Sequence, residues 1–287
     1  MNETYANQEV LEFYKKLPFN YYGSINKAVE NIKRRNAVEY YSVIPKFLKK
    51  TIKVIDVGCG TSAFVNTRNY YYGSYGTSAV GMDFNSVALN QARAVSLKLG
   101  IVSDFFEADI FRYCPDYSYD LVTSIGVLHH TNNCIEGLRR LCRYYVEEGG
   151  FVFIGLYHKY GRKAFLDYFK QLKLNSATEK DLIQEFLKLR PANTDETHFL
   201  SWFYDQVLHP HETQHSLAEI IPVLQSESME LVATSINEFK SFRDYNNLYE
   251  IEKTYSDIGR QRLLEGKYFP GFFVFLAQKR SGTKHKD

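Results

Sequence analysis

Two glycines and an acidic residue in the first third of the chain have the types and spacing of a ligand-binding turn. Asp56 stands two residues before Gly58, and Cys59 separates that glycine from Gly60. Glycines lack the Cβ atom that keeps a ligand away from the backbone, and a helix that opens behind them presents free N–H groups. The turn suits a dinucleotide pyrophosphate or a nucleoside with a charged amino-acid tail. Asp56 favours the second ligand, because a carboxylate repels phosphate and attracts an ammonium group.

Asp83 and Asp109 are two further carboxylates that follow predicted strands. Asp83 comes after the apolar run 79–82, and it lies 25 residues beyond Gly58. A nucleotide-binding βαβ unit places the acid that accepts the ribose hydroxyls near this position. The alternative is that Asp83 only caps the helix that begins near Ser86. We predict the ribose role for Asp83 and expect Asp109 at the same edge of the sheet.

Three histidines follow predicted strands and could transfer a proton. His129 and His130 come after the apolar run 120–127 and Leu128, and His158 comes after the predicted strand 151–156 and Tyr157. Ligands in open α/β sheets lie beyond the carboxyl ends of the strands, so all three are expected near a bound ligand. An unperturbed histidine titrates near pH ~6.5 and can act as a base. The alternative is that these rings only shape the pocket.

Several polar and aromatic residues are candidates for contacts with a substrate. Lys159 and Arg162 could pair with a carboxylate or phosphate, which would suit an acidic metabolite, or they could be surface charges at a helix start. Aromatic side chains could form a pocket wall or simply pack in a core. The predicted substrate-binding residues are Tyr21, Tyr157, Lys159, Arg162, Trp202, His209 and His211.

The stretch His211-Glu212-Thr213-Gln214-His215 contains the short H-E-x-x-H pattern of zinc proteases. On a helix the two histidines would share a face and could bind zinc. Pro210 instead predicts that the stretch occupies the first turn of a helix, and no third ligand has suitable spacing. We therefore do not predict a protease and name no metal ligand, while a metal or substrate contact of this stretch stays open.

Four motifs occur in order along the first half of the chain. They are D-V-G-C-G at 56–60, V-G-M-D-F-N at 80–85, E-A-D-I at 107–110 and Y-D-L-V-T-S-I-G-V-L-H-H at 119–130. Together they resemble the successive motifs of the class I S-adenosylmethionine (SAM) methyltransferases, and most closely the ubiquinone/menaquinone-methyltransferase-like (type 11/25-like) branch. The resemblance spans roughly residues 52–157. Ser62 stands where that family usually has a third glycine.

The resemblance implies SAM as the cofactor and a methyl acceptor as the substrate. It also implies that Asp109 accepts the adenine amino group, that Ile110 packs on the ring, and that helices before the first strand cover the cofactor. Methyl transfer would be an in-line displacement by an oxygen or nitrogen atom, or less favourably a carbon atom, of a small molecule. The implied cofactor-binding residues are Asp56, Gly58, Cys59, Gly60, Asp83, Phe84, Asp109, Ile110 and Gly126.

The hydrophobic pattern predicts an α/β protein with a Rossmann-like, doubly wound sheet. Strands and helices alternate up to residue 156, and two late strands are predicted at 231–236 and 271–277. The resemblance implies a seven-stranded sheet with an antiparallel last strand. We predict a helical lid at 1–50, a SAM-binding core at 51–157, a helical substrate-covering insertion at 158–229, the rest of the sheet at 230–279 and a mobile tail at 280–287.

Amino-acid composition limits the kinds of partner and the cellular compartment that we expect for this protein. The 35 basic and 33 acidic residues nearly balance, which makes nucleic acid an unfavoured partner. The four cysteines have no C-x-x-C spacing and no signal peptide is evident, so we expect a cytoplasmic protein. No apolar run reaches the ~20 residues that span a bilayer, so no membrane insertion is expected. The oligomeric state is left open.

Three other functions stay open at this point. A tRNA methyltransferase would fit the same cofactor site. A nicotinamide (NAD)-dependent oxidoreductase would fit the G-x-G-x-x-A spacing of Gly58, Gly60 and Ala63, although that spacing is a weak signal. A SAM-binding protein without catalysis would need none of the histidines.

Overall fold

A seven-stranded sheet forms the centre of the protein. The computed structural model describes residues 7–34, 43, 52–73, 78–191 and 195–281. The strands are β1 (Lys53–Val57), β2 (Ser78–Asp83), β3 (Asp104–Glu107), β4 (Tyr119–Ile125), β5 (Val146–Tyr157), β6 (Met229–Thr234) and β7 (Phe272–Lys279). Their order is β3-β2-β1-β4-β5-β7-β6, and β7 runs antiparallel to both of its neighbours. The predicted fold is therefore confirmed.

The sheet is covered on both faces, which explains the continuous apolar runs of its central strands. Side chains alternate between two cores along each strand. Ile55 and Val122 belong to the core on one face, whereas Val54 and Leu121 belong to the core on the other. The carboxyl ends of β1, β2 and β4 meet at one edge, because these strands are parallel.

Five helices precede β5 in the described part of the chain. They are α1 (Gln8–Lys16), α2 (Ile25–Lys33), α3 (Ala63–Tyr72), α4 (Ser86–Leu99) and α5 (Cys134–Arg140), which continues as the π-helical turn Leu141–Tyr145. The side chain of Asn7 accepts a hydrogen bond from the N–H of Val10 and so caps α1. The predicted helix from residue 25 to residue 50 ends at Lys33, and its predicted continuation falls largely outside the described residues.

The segment after β5 is helical, as the sequence predicts. It contains α6 (Lys163–Leu174), α7 (Glu179–Leu189), α8 (Glu196–Phe203) with the π-helical turn Tyr204–Leu208, and α9 (Leu217–Ser226); α10 (Tyr245–Leu264) lies between β6 and β7. The first three helices share a small aromatic core built around Phe186. The short α8 is absent from the sequence prediction, because its aromatic residues favour helix only weakly. No helix among the described residues is long and apolar enough to cross a membrane.

Candidate functional site

A cleft with a volume of about 280 Å³ lies at the carboxyl ends of β1, β2 and β4. Its floor consists of backbone and side chains at the strand ends, and its roof comes from α1 and the segment behind it. His130 and Thr131, which follow β4, complete the wall. The floor is formed by residues 56–64, 82–85, 88, 108–111 and 125–127, and the roof by residues 7, 10, 14 and 18–20.

The glycine turn after β1 has a backbone that other residues adopt poorly. Gly58 and Gly60 have φ angles of 76° and 53°, in the left-handed region. A Cβ atom on Gly58 would lie 2.4 Å from Cγ1 of Val127, so the neighbouring loop leaves room only for glycine. Ser62 also has a positive φ, 58°, at the start of α3. This conformation gives a physical reason for the third glycine that the resembled family carries there.

Asp83 anchors this turn from the end of β2. Its carboxylate accepts hydrogen bonds from the N–H groups of Gly60 at 2.7 Å and Asn85 at 2.8 Å. Burial raises the pKa of Asp83 to about 6, although backbone hydrogen bonds oppose the rise. The side chain of Asn85, not that of Asp83, caps α4 by accepting from the N–H of Val87. Asp83 therefore is not the helix cap that the sequence left as an alternative.

Asp56 and Asp109 lie on either side of Asp83 along the floor. Thr123 donates a hydrogen bond to Asp56, and burial raises the pKa of Asp56 to about 7. Oδ1 of Asp109 accepts from the N–H of Phe111. Oδ2 of Asp109 is buried and has no hydrogen-bond partner within the described structure, where the Arg112 guanidinium lies 3.9 Å away. This oxygen is open to a donor from a ligand.

His130 is almost fully buried and lines the cleft. Its Nδ1 donates to the carbonyl oxygen of His211 at 2.9 Å, so Nε2 carries the lone pair in the neutral ring. Burial lowers the pKa of His130 to about 4. The ring of His129 contacts that of His130 but does not line the cleft, and its Nδ1 accepts the N–H of Tyr157. The two neighbours therefore differ in role, and His130 is the one that can reach a ligand.

A polar cluster of Tyr14, His130, Tyr157, Asp205 and His209 adjoins the roof. The hydroxyl of Tyr14 donates to Asp205 at 2.6 Å, and Nε2 of His130 lies 3.9 Å from the same carboxylate oxygen. The ring of His209 packs on that of His130 with centroids 3.8 Å apart. Burial raises the pKa of Asp205 and lowers that of His209. The cluster joins α1, the end of β4, the end of β5 and the helical insertion.

Three predicted site residues after β5 pair with carboxylates of the protein itself. His158 is buried, and its Nε2 lies 3.2 Å from the carboxylate of Glu252. The buried guanidinium of Arg162 pairs with Glu212 at 2.9 Å. Lys159 is at the surface, 2.8 Å from Glu219. None of these three lines the cleft, and we do not assign His158 a catalytic role.

The remaining predicted substrate residues lie near the cleft wall without forming it. Trp202 packs on Phe19, a roof residue, with centroids 4.8 Å apart. Nε2 of His211 hydrogen-bonds the carbonyl of Thr131. Tyr21 is held through its N–H to Ser201, and Tyr157 and His209 belong to the polar cluster.

The H-E-x-x-H stretch is not helical, so its predicted position in a first helical turn is wrong. α9 begins at Leu217, and His215 instead lies alongside His158, where its N–H donates to the carbonyl of Tyr157. Glu212 is engaged by Arg162, as described above. Within the described ranges no group of three side chains could hold a metal ion.

Several wall residues are absent from the sequence prediction. Asn20, Asn85, Phe111 and Thr131 line the cleft although none was chosen as a site residue. Tyr14 stands in a run of aromatic residues that carries no sign of which ring reaches a ligand. Asn85 had one signal, because it follows a strand and precedes a helix, which is typical of a helix cap.

Comparison with known proteins places the chain in a class. Residues 48–187 match the family model described as a methyltransferase domain. PKMT2 from Rickettsia typhi has a similar structure (TM-score 0.58, 15% identity, 84% of this chain and 53% of that chain). A SAM-dependent methyltransferase from Methanosarcina mazei is also similar (TM-score 0.52, 15% identity, 85% of this chain and 100% of that chain). No curated protein matches the sequence significantly.

The strand order and the acid-lined glycine turn define a class I methyltransferase fold, which the solved structures share. The family match identifies the activity: the chain carries a methyltransferase domain and is a SAM-dependent methyltransferase. It therefore is not the nicotinamide-dependent oxidoreductase that the glycine spacing left open. The ubiquinone/menaquinone-like branch and the role of each site residue stay predictions.

Proposed function

We propose that this enzyme transfers the methyl group of SAM to an oxygen or nitrogen atom of a small, uncharged or cationic molecule. The observation that carries the proposal is the placement of His130. His130, whose Nε2 atom is unprotonated in the neutral ring, lines the same cleft as the nine predicted cofactor-binding residues.

The floor of the cleft fits the chemistry of SAM. The carboxylate of Asp83 can accept the ribose hydroxyls. Oδ2 of Asp109, which has no hydrogen-bond partner among the described residues, can accept a hydrogen bond from the adenine amino group. Asp56 can attract the ammonium group of the amino-acid tail. Gly58 and Gly60 let the ligand approach the backbone. These donors and acceptors are those of a nucleoside with a cationic tail.

The position of His130 favours an acceptor with a proton to lose. An oxygen or nitrogen nucleophile attacks the methyl carbon, the carbon–sulfur bond breaks with its electron pair passing to sulfur, and the nucleophile gives up its proton. Nε2 of His130 can take that proton, because the low pKa of the buried ring keeps it neutral near pH 7. The end of β2, which carries Asp83, and the end of β4, which leads to His130, lie two strand spacings apart, about 10 Å.

The walls of the cleft favour a small acceptor without negative charge. Val10 and Tyr14 of α1 cover the cleft, so a macromolecule would have to displace that helix. None of the described residues that line it is Lys or Arg, and Lys159 and Arg162 are paired elsewhere. An anionic acceptor would meet the carboxylates of the floor without a compensating cation. We therefore do not retain the acidic acceptor that the sequence suggested.

Calorimetry and a labelling screen test the proposal. SAM and S-adenosylhomocysteine are expected to bind the purified protein, whereas NAD is not. Isotopically labelled SAM added to a small-molecule extract should yield a labelled product, whose mass identifies the acceptor. Label that enters only RNA or protein would overturn the small-molecule assignment, and an absence of SAM binding would overturn the whole proposal.

A further inference from the structure

The carboxylate of Asp205 touches groups from several separate parts of the molecule. Oδ1 accepts the hydroxyl of Tyr14, which belongs to α1 and lines the cleft. The same oxygen lies 3.9 Å from Nε2 of His130. Oδ2 accepts from the side-chain amide of Gln206 at 2.6 Å and from the hydroxyl of Tyr157 at 3.3 Å. Burial of a carboxylate is costly, and these bonds offset the cost.

Tyr14 and Asp205 both lie outside residues 48–187, the part that matches the methyltransferase model, whereas His130 lies inside it. The contact therefore joins the matched domain to segments of this chain that lie before and after it. Because Tyr14 borders the cleft, its hydrogen bond to Asp205 also holds α1 over any bound ligand.

Asp205 is suited to balance a charge on His130. Burial raises the pKa of Asp205, whereas the nearby His209, the hydrogen bonds from Tyr14 and Gln206, and the nearby Arg162 oppose the rise and favour the carboxylate. When Nε2 of His130 takes a proton, the new positive charge lies beside Oδ1 of Asp205. A carboxylate at this distance stabilises the imidazolium and thereby the proton transfer.

We propose that Asp205 is a positioning residue, which fastens α1 over the cleft through Tyr14 and holds a negative charge against the proton-accepting nitrogen of His130. It takes His130 as the base and therefore rests on the proposed function.

Hydrogen exchange of the free protein tests the fastening. Tyr14→Phe removes one hydroxyl and keeps the ring, so exchange of the α1 amides should rise about tenfold, as expected for a lost hydrogen bond to a charged group. Exchange in β4 and β5 should stay unchanged. Asp195→Asn is the matched control, because Asp195 is also a buried acid of the insertion and accepts from the N–H of Gly23 rather than from α1. Unchanged exchange in Tyr14→Phe would overturn the fastening.

Kinetics with the acceptor from the labelling screen test the effect on His130. Asp205→Asn keeps the size of the side chain and its oxygen for Tyr14 but removes the charge. The kcat should fall about 10- to 100-fold while KM for SAM changes less than about twofold. Tyr14→Phe should show the opposite pattern, in which KM for SAM rises and kcat falls less than in Asp205→Asn.

Failure of this inference can be told apart from failure of the proposed function. Full kcat in His130→Gln would remove the proposed base. An inactive His130→Gln together with full kcat in Asp205→Asn would overturn the role of Asp205 alone. Identical changes of kcat and KM in Asp205→Asn and Tyr14→Phe would mean that Asp205 only holds α1 in place. The proposed effect of its charge on His130 would then be overturned.

Discussion

The floor of the cleft and the polar cluster beside its roof are built in different ways. The floor consists of turns at strand ends, where the N–H groups of Gly60 and Asn85 meet the carboxylate of Asp83 within 25 residues of chain. The polar cluster joins Tyr14 to Asp205 across 191 residues. The floor thus depends on local sequence and on parallel strands, whereas the cluster forms only when the lid helix and the insertion have packed.

This difference corresponds to the two substrates of the reaction, the cofactor and the methyl acceptor. Every floor residue lies within the matched methyltransferase domain, which handles a cofactor common to the class. The cluster adds segments outside that domain, on the side where His130 would meet the acceptor. We infer that changes to the floor affect cofactor affinity and changes to the cluster affect turnover.

The largest expected effect is on turnover, from His130→Gln. Loss of a general base lowers kcat by about 10²- to 10⁴-fold. Affinity for SAM should stay within about threefold, since His130 holds none of the floor groups. Steady-state kinetics with the identified acceptor and calorimetry with SAM check the two values. A full kcat would mean that the acceptor needs no base and would favour a carbon or a deprotonated nucleophile.

Substitution of Asp83 should have the opposite effect, because it should lower the affinity for SAM. Asp83→Ala is expected to abolish SAM binding, and Asp83→Asn, which can still accept one backbone N–H, should weaken it about 100-fold, as for loss of a charge-assisted hydrogen bond. Calorimetry measures both. Asp104→Asn is the control, because Asp104 is exposed at the start of β3, whereas the cleft lies beyond the other end of that strand. Unchanged SAM affinity in Asp83→Ala would show that another group holds the ribose.

The same difference explains what the sequence could predict. All nine predicted cofactor-binding residues line the cleft, because strand ends and glycine turns are visible as local patterns. Of the ten residues predicted as catalytic or substrate-binding, one, His130, lines the cleft. The side chain of Arg162 illustrates the difficulty, since its burial against Glu212 depends on a segment fifty residues later.

The seven strands were also predictable, because parallel central strands need unbroken apolar runs. Helix α8 was not, since its short aromatic sequence is held by packing against Phe186 rather than by helix propensity. The H-E-x-x-H stretch misled for a related reason: its pairing with the end of β5 is a tertiary contact that no local spacing reveals.

Substitution of two glycines of the floor should lower the free energy of unfolding by different amounts. Gly58→Ala combines an unfavourable φ with a contact 2.4 Å from Val127, and Gly60→Ala has the φ cost with nothing within 4 Å. We expect a loss of about 3 kcal/mol of unfolding free energy for the first and about 1 kcal/mol for the second. Urea unfolding measures both. Equal losses would mean that the Val127 loop moves aside freely.

The affinity for SAM should depend on pH through the floor. The ribose hydroxyls donate to the ionised carboxylate of Asp83, whose pKa of about 6 lies above the ordinary value because of burial. The contribution of Asp83 to the affinity is therefore full above that pH, and its loss should weaken binding up to about tenfold for each pH unit below it. Calorimetry from pH 5 to pH 8 measures this. Burial raises the pKa of Asp56 to about 7, so protonation of Asp56 should add a shallower loss of affinity that begins near pH 7. This second loss should vanish in Asp56→Asn.

The smallest expected effect comes from Lys159→Ala. This side chain is half exposed and pairs with Glu219 at the surface, away from both the floor and the polar cluster. Exposed ion pairs contribute little, so kcat and KM should stay within about twofold of the wild type. Glu219→Gln, which breaks the same pair from the other side, is the matched control. A KM for the acceptor raised about tenfold in Lys159→Ala but not in Glu219→Gln would mean that Lys159 leaves its partner to bind an anionic acceptor. The acceptor would then extend beyond the cleft, along the end of β5.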